Sequence, residues 1–473
     1  MGKHYRITLS VAVVVALSGC TTIHDKRTAD IKAVTNYQTE HSFQTKHFSS
    51  WPKQNWWQHY QDPQLNQLIE TALKDSPTIE IAKARLAQAK GYAKEMGAVK
   101  KVQISANAQA SQQKVSYQYQ AYMPPHGWND YASLGLDFHY DFDFWGKNRS
   151  LVAAATSQLQ AAKAEQASAK LMLATAIANQ YAELTRLYAN QDTILQALSI
   201  RQKTANLIEK RHHFGLENEG AVYRSKSAYS SEQADLSANI EQIKLAKSAI
   251  SALVGTAPDT SAQITRPTVK LSHDFGLPQN ARIGLLGHRP DIVAARWQVQ
   301  ARAHQSDIAK ASFYPDLSLS AFFGFQSYGI NHLFRENNTA GSVGPALYLP
   351  IFKGGELHGK LDQARARYRQ AVANYDNTLN HALHQVADTV VKINSLTQRL
   401  QHTQDAVDSA KKAYLVAFDR YHGGLANYLD VLTAEDVFVK AKQQLADLQT
   451  RAFSLNIALM HALGGGYQQS SQS

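Results

Sequence analysis

Ser133-Leu134-Gly135-Leu136-Asp137-Phe138-His139-Tyr140-Asp141-Phe142-Asp143-Phe144-Trp145-Gly146 decides how the rest of the chain is read. Up to Phe144 apolar and polar side chains alternate with a period of two, which is a strand with one greasy and one wet face. After Gly146, residues 147–213 contain neither Gly nor Pro and are rich in Ala, Leu, Gln, Lys and Glu. Apolar side chains recur there at helical spacing, at Ile177, Tyr181, Leu184, Tyr188, Leu195 and Leu198, so the stretch is predicted to be one helix. At 1.5 Å per residue such a helix is on the order of 100 Å long, several times the width of an ordinary domain.

The same passage recurs. Leu317, Leu319, Ala321, Phe323 and Phe325 alternate, then Val343, Pro345, Leu347, Leu349 and Ile351, and a Gly354-Gly355 turn leads into residues 360–422, again free of Gly and Pro. That run carries Tyr368, Val372, Tyr375, Leu379, Val386, Val390 and Ile393 at helical spacing. A shift of 213 takes Pro77 and Ile79 onto Pro290 and Ile292. A shift of 209 takes Arg211, His213, Gly215, Leu216, Asn218, Val222 and Gly255 onto Arg420, His422, Gly424, Leu425, Asn427, Val431 and Gly464, all identical. The chain is a tandem duplication.

Working backwards, Val102, Ile104, Ala106, Ala108 and Ala110 fall on even numbers, whereas Val115, Tyr117 and Tyr119 fall on odd ones. A bulge between the two sets is expected to keep one outer face. Tyr117, Tyr119, Tyr122, Trp128 and Tyr131 gather near the following turn, as aromatic side chains do at a membrane surface. Each half thus offers two strands of bilayer-crossing length. An open sheet edge cannot sit in hydrocarbon, where each unpaired backbone group costs several kcal/mol, and a closed barrel needs about eight strands. The chain is therefore expected to oligomerise to close a barrel, with the long helices continuing it as a tube on one side.

The N-terminus is a targeting segment. Lys3 and Arg6 precede an apolar stretch from Ile7 to Leu17, too short for a permanent anchor, ending in Leu17-Ser18-Gly19-Cys20. This resembles a bacterial lipoprotein signal, in which the cysteine is acylated and becomes the mature N-terminus. Cys20 is the only cysteine, which excludes a disulfide framework. Thr21, in place of Asp, points to the outer membrane. The net charge of +11 falls to +9 once Lys3 and Arg6 leave with the signal, and no basic run with interleaved aromatics argues for nucleic acid.

The boundaries that follow are a signal peptide over 1–19, a lipid-anchored tether over 20–60 and a first repeat over 61–258. A linker over 259–288, marked by Pro267 and Pro278, precedes a second repeat over 289–465 and a tail over 466–473. Within the first repeat, residues 62–97 read as helical with an interruption at Pro77.

These motifs together resemble one family. Cys20, Trp56-Trp57 with Asp62-Pro63-Gln64-Leu65, Asp143-Phe144-Trp145-Gly146, Arg289-Pro290-Asp291-Ile292, Phe313-Tyr314-Pro315, Leu349-Pro350-Ile351-Phe352, Tyr428-Leu429-Asp430-Val431-Leu432 and Ala462-Leu463-Gly464-Gly465-Gly466-Tyr467 occur in order over nearly the whole mature chain. The chain is identified by them as similar to the TolC-like outer membrane factors, in the lipoprotein branch that serves multidrug efflux. The resemblance implies a mainly α-helical protein with a membrane β-barrel, four strands per subunit completing a trimeric barrel that a long helical periplasmic barrel continues. It also implies a periplasmic adaptor and an inner membrane transporter as partners, beside outer membrane lipid, and a passive duct gated at its periplasmic tip.

The family's acidic gate matches Asp430, and a gate tyrosine matches Tyr421; a second acid found three positions on in some members is Thr433 here. Three copies of Asp430 around an axis would set up a cation-attracting neck. The plainer readings are that Asp430 complements a helix dipole and Tyr421 is an aromatic helix end. Gly215-Leu216 and Gly424-Leu425 are equivalent turns where an adaptor is expected to grip, unless they only cap helices. Arg211 and Arg420 are candidates for dipole partners at the same ends.

His212-His213, and His381 with His384, do not recur in both halves with carboxylates, and five Met are unclustered, so no metal site is expected. No nucleophile-base set or phosphate-cradling loop argues for an enzyme, and no cofactor is expected beyond acyl groups on Cys20. The rival readings are a metal-efflux or protein-secretion channel of the same build, and a non-conducting lipoprotein that braces the envelope.

Overall fold

The structure is a computed structural model that describes residues 30–44, 49–116, 125–270 and 276–469. The signal segment, Cys20 and the tyrosines at 117, 119 and 122 lie outside these. Two compact units are present, one of residues 1–31, 89–159 and 297–374 and the other of 32–88, 160–296 and 375–473. The elements follow the duplication. In the first half α1 (Pro63–Asp75) and α2 (Pro77–Ala98) precede β1 (Gln103–Gln113), β2 (Asn129–Phe142), α3 (Lys147–His213) and α4 (Glu219–Val254). In the second, α5 (Ala281–His288) and α6 (Pro290–Ala311) precede β3 (Asp316–Tyr328), β4 (Thr339–Tyr348), α7 (Glu356–His422) and α8 (Tyr428–Ala462). Except for α1 and α5, of 13 and 8 residues, corresponding helices match in length: 22 residues for α2 and α6, 67 for α3 and α7, 36 and 35 for α4 and α8.

In the first unit the four strands form one antiparallel sheet in sequence order, so β1 and β4 are its edges. The register puts all the alternating apolar residues on one face. Ile104 lies opposite Phe138, Phe138 opposite Ala321, and Ala321 opposite Val343. The other face is polar, with Asn107 bonded to Asp137, and His139 3.0 Å from Asp141. Gly135 and Gly324 face each other across β2 and β3, and the Phe322 ring occupies the space a Cβ at Gly135 would need. A sheet with an apolar face, a polar face and two edges unpaired among the described residues has the makings of a barrel segment.

Two strand expectations are corrected. The β1–β2 ladder runs without a bulge through Gln113 opposite Asn129, and Val115 lies beyond the strand. Past Ala110 the side chains are Ser111, Gln112 and Gln113, so there is no apolar face to re-phase. Similarly β4 stops at Tyr348, leaving Leu349 and Ile351 outside the ladder, because its partner β3 begins at Asp316, opposite Tyr348, and offers nothing further to pair with. The turn after β2 starts α3 with a cap. Asp143 accepts hydrogen bonds from the backbone N–H groups of Asn148 and Arg149 at 2.9 and 2.8 Å, while Gly146 takes a positive φ of 74°. The Trp145 ring stacks on Tyr314 at 4.7 Å and its Nε1 donates to the Pro315 carbonyl, which ties the turn to the segment that leads from α6 into β3.

In the second unit, Leu65, Ile69, Ile177, Tyr181, Leu184, Ile250 and Phe453 share one core with Trp56, Trp57 and Tyr60. The tether residues just before α1 are thus part of that core. Asp62 fastens the corner. Its side chain, 1% exposed, accepts from the N–H groups of Gln64 and Leu65, from the Tyr181 hydroxyl and from the Thr268 N–H. Part of the expected linker is helical, since α5 begins at Ala281 after Asn280 in the left-handed conformation. Eight residues are too few for periodicity to reveal.

Along the long helices the buried positions settle into a seven-residue repeat. On α3, Leu187, Ile194, Arg201 and Ile208 fall on one seam position, with Ala197 and Thr204 on the other; Leu195, expected in the stripe, is exposed. A sustained repeat of seven residues is coiled-coil packing; Leu195 keeps that spacing from the buried Tyr181, so the seam itself passes from the positions of Tyr181 and Leu184 to those of Leu187 and Ile194.

Candidate functional site

The two long hairpins turn over in the same way. At the end of α3 the Leu216 N–H donates to the Arg211 carbonyl at 2.8 Å and the Gly215 N–H to His212 at 2.9 Å. At the end of α7 the Leu425 N–H donates to Arg420 at 2.8 Å and the Gly424 N–H to Tyr421 at 3.0 Å. Both glycines have positive φ, 69° and 75°, so both end their helices as left-handed caps. Asn218 then caps α4 by accepting from Ala221 N–H at 2.9 Å, and Asn427 caps α8 by accepting from Asp430 N–H at 3.0 Å. Leu216 and Leu425 are 64% and 74% exposed, so each turn presents an apolar side chain outward.

Asp430 is exposed in the first turn of α8, where its charge favours the positive end of the helix dipole. The dipole reading therefore holds whatever else the residue does. The equivalent position in the first repeat is Ala221, so the acid belongs to one hairpin alone. Thr433 is also exposed, with its hydroxyl donating to the Leu429 carbonyl at 2.8 Å.

Tyr421 is more than a helix end. It is 1% exposed and packs with Ile208, Val222, Tyr428 and Val431, residues of both hairpins. Its hydroxyl donates to Glu217 Oε2 at 2.9 Å. Burial, and then the Glu217 carboxylate, raise the phenol above its ordinary range, so it remains a donor at any physiological pH. Arg211 completes the contact. Its guanidinium lies 4.6 Å from the Tyr421 ring centre and donates to the Tyr421 carbonyl at 3.1 Å, satisfying a C-terminal carbonyl of the other hairpin. Arg420 instead donates to Leu425 in its own turn, at 3.4 Å.

Glu217 was not among the expected residues. Its signal was an asymmetry between the repeats, since the position equivalent to Glu217 is Ala426. Equally unanticipated is a charge cluster two turns along α8, where Arg201 of α3 meets the buried Glu232 of α4 and Glu435 of α8 and the exposed Asp436. The histidine pairs draw together no donors: among the described residues no group of three or more His, Cys, Asp or Glu could hold a metal ion. Among the described residues no helix is long and apolar enough to cross a membrane.

Comparison with known proteins agrees with this architecture. The family model for outer membrane efflux proteins matches residues 68–256 and 284–465. The multidrug resistance outer membrane protein MdtP of Escherichia coli K12 is 30% identical over 432 residues, which cover 89% of this chain and 88% of MdtP. MdtQ of Escherichia coli O157:H7, also a multidrug resistance outer membrane protein, is 28% identical over 465 residues, 96% of each chain. The crystal structure of the outer membrane protein VceC from Vibrio cholerae superposes with a TM-score of 0.85 at 52% identity, covering 88% of this chain and all of that one.

Proposed function

The chain belongs to the outer membrane efflux protein family, and on that premise we propose that it is the passive exit duct of a tripartite multidrug efflux pump. One observation carries the reading: among the described residues, a sheet with one apolar and one polar face leaves both edges unpaired, in a chain that also holds two helices of 67 residues. Three copies would pair edge to edge into one closed barrel in the outer membrane, wet inside and greasy outside, because nothing less removes the free edges from lipid. The helices would line the periplasmic course of the duct.

The tip is the gate in this reading. Tyr421 with Glu217 and Arg211 holds the two hairpins of a subunit together, and Asp430 faces its copies across the axis as a cation-attracting ring. The exposed turns at Gly215-Leu216 and Gly424-Leu425 receive a periplasmic adaptor, which links the duct to an inner membrane transporter that supplies energy and selects cargo. Cys20, acylated, fixes the mature chain to the outer membrane, and radiolabelled palmitate should enter the protein and be lost in Cys20→Ser.

Deleting the gene and loading cells with a fluorescent efflux dye tests the function. Accumulation should rise and return to normal on complementation. Unchanged accumulation, together with no conductance from the purified protein in planar bilayers, would leave only a structural tether.

A further inference from the structure

Coiled-coil seams are apolar by rule, and a polar side chain there carries a cost in stability. Three helices of this protein place such a residue at one level. Arg201 follows Leu187 and Ile194 at seven-residue spacing on α3, Glu232 follows Ser225 and precedes Asn239 on α4, and Glu435 follows Tyr428 on α8. Their side chains are 11%, 5% and 1% exposed. The Arg201 Nε donates to Glu232 at 2.9 Å, its Nη2 donates to Asp436 at 2.9 Å, and its Nη1 lies 3.6 Å from Glu435. The Thr204 hydroxyl lies 3.3 Å from Glu435 Oε2 and shares its one hydrogen between that oxygen and the Ile200 carbonyl at 3.1 Å.

One guanidinium serves three carboxylates, of which Asp436 is 56% exposed, so the buried part of the cluster holds an excess of one negative charge when Glu232 and Glu435 are both ionised. Glu232 Oε1 is buried and has no hydrogen-bond partner among the described residues. The groups facing Glu435 are Arg201 and Thr204 from α3, Glu232 from α4, Tyr414 from α7, and Tyr428 and Asp436 from α8 itself. Only one of them is a cation.

We infer that Arg201, Glu232, Glu435 and Asp436 form a second clamp between the two hairpins, one that is tight while Glu435 holds a proton and loosens when the proton leaves. The clamp rests on the tip being a gate, because parting the hairpins there must also part α3 and α4 from α8. Removing one proton from the cluster adds a buried charge that has no further cation to meet, whereas an open arrangement lets water solvate it. Burial, opposed by Arg201 and Thr204, pushes Glu435 up to about 7, which brings the change into the range a cell envelope experiences.

The sign follows. In the closed packing Glu435 binds its proton up to about pH 7, whereas a hydrated carboxyl releases it near its ordinary value of about 4.3. Between these limits the closed form binds more protons, so closure weakens as pH rises and levels off above 7. Opening frequency in planar bilayers should therefore climb roughly tenfold or more from pH 5.5 to 7.5.

Single-channel recording of the full-length protein at five pH values between 5.5 and 8.5 tests this. Glu435→Gln, a neutral isostere, should stay mostly shut with a flat profile. Thr204→Val, which removes a donor to the ionised form, should move the midpoint to higher pH. A Glu435→Gln channel with the wild-type slope, or a Thr204→Val midpoint that moves down or stays, would overturn the clamp. Tyr421→Phe separates the two readings: opening raised at every pH with the slope retained supports both, and opening left unchanged while Glu435→Gln is flat overturns the tip latch but supports the clamp.

Discussion

Replacing Tyr421 by Phe removes one oxygen and leaves the ring, so its packing against Ile208, Val222 and Tyr428 and the Arg211 stack at 4.6 Å persist. What is lost is the hydroxyl's hydrogen bond to Glu217 at 2.9 Å. Glu217 is half-exposed and still accepts from the Asn218 N–H at 3.2 Å, so water replaces the lost donor and no buried charge is orphaned. The net loss is then that of a partly buried hydrogen bond to a charged acceptor, about 1–2 kcal/mol per subunit. A change of that size is a factor of about 5–30 in an equilibrium between two states. If three subunits open together the factors multiply, to on the order of 10²–10⁴. Single-channel recording should show the variant open for a much larger share of the time, with unitary conductance in the open state unchanged. Wild-type opening frequency in a properly assembled variant would refute the reasoning, since the bond would then exist in both states or in neither.

Substitutions at Asp62 and at the equivalent glycines Gly464 and Gly255 probe what holds the helices in place. Asp62→Ala leaves two N-terminal N–H groups of α1, the Tyr181 hydroxyl and the Thr268 N–H without an acceptor, and should cost about 3–5 kcal/mol, with Asp62→Asn milder; chemical denaturation of the purified protein measures both. Gly464→Ala should be more damaging than Gly255→Ala, although the two glycines are equivalent by repeat and both have positive φ. A Cβ at Gly464 would lie 2.0 Å from the His288 carbonyl oxygen, and one at Gly255 2.9 Å from the Pro77 ring, so thermal unfolding should fall further for the former, by about 2 kcal/mol or more. Equal losses would mean that the backbone at His288 yields freely.

Most of the fold could be read before any coordinates because it is set by local rules. A run without Gly or Pro between two turns has little choice but to be one helix, and α3 ends at His213 as that rule requires. Alternation fixes which face of β2 and β3 is apolar, and the observed register aligns those faces. The failures came where local chemistry falls silent. Ser111, Gln112 and Gln113 carry no alternation, so the end of β1 could not be placed. Spacing from Tyr181 and Tyr188 put Leu195 in the stripe, whereas by that level the neighbouring helices have moved the buried seam to Ile194 and Ala197. At the tip, the turns were legible from the duplication, whereas Asp430 and Tyr421 came from the family resemblance alone, since their equivalents in the first repeat are Ala221 and His212. Glu217 was legible from neither, because the comparison of repeats looked for identities, and the partner of Tyr421 lies where the repeats differ. Arg201, Glu232 and Glu435 were hidden for a related reason. Each reads alone as a solvated charge on a long helix, and only the seven-residue register, set by neighbouring helices, turns all three inward.

The account depends on four strands being unable to seal themselves against lipid. Native mass spectrometry of the intact protein, extracted in detergent and released from its micelle, tests that most directly. The predicted result is a single species of three times the mature chain's mass that survives mild activation as a unit. A stable monomer that still inserts into bilayers would contradict it, because one copy would then have found a way to satisfy both edges of its own sheet.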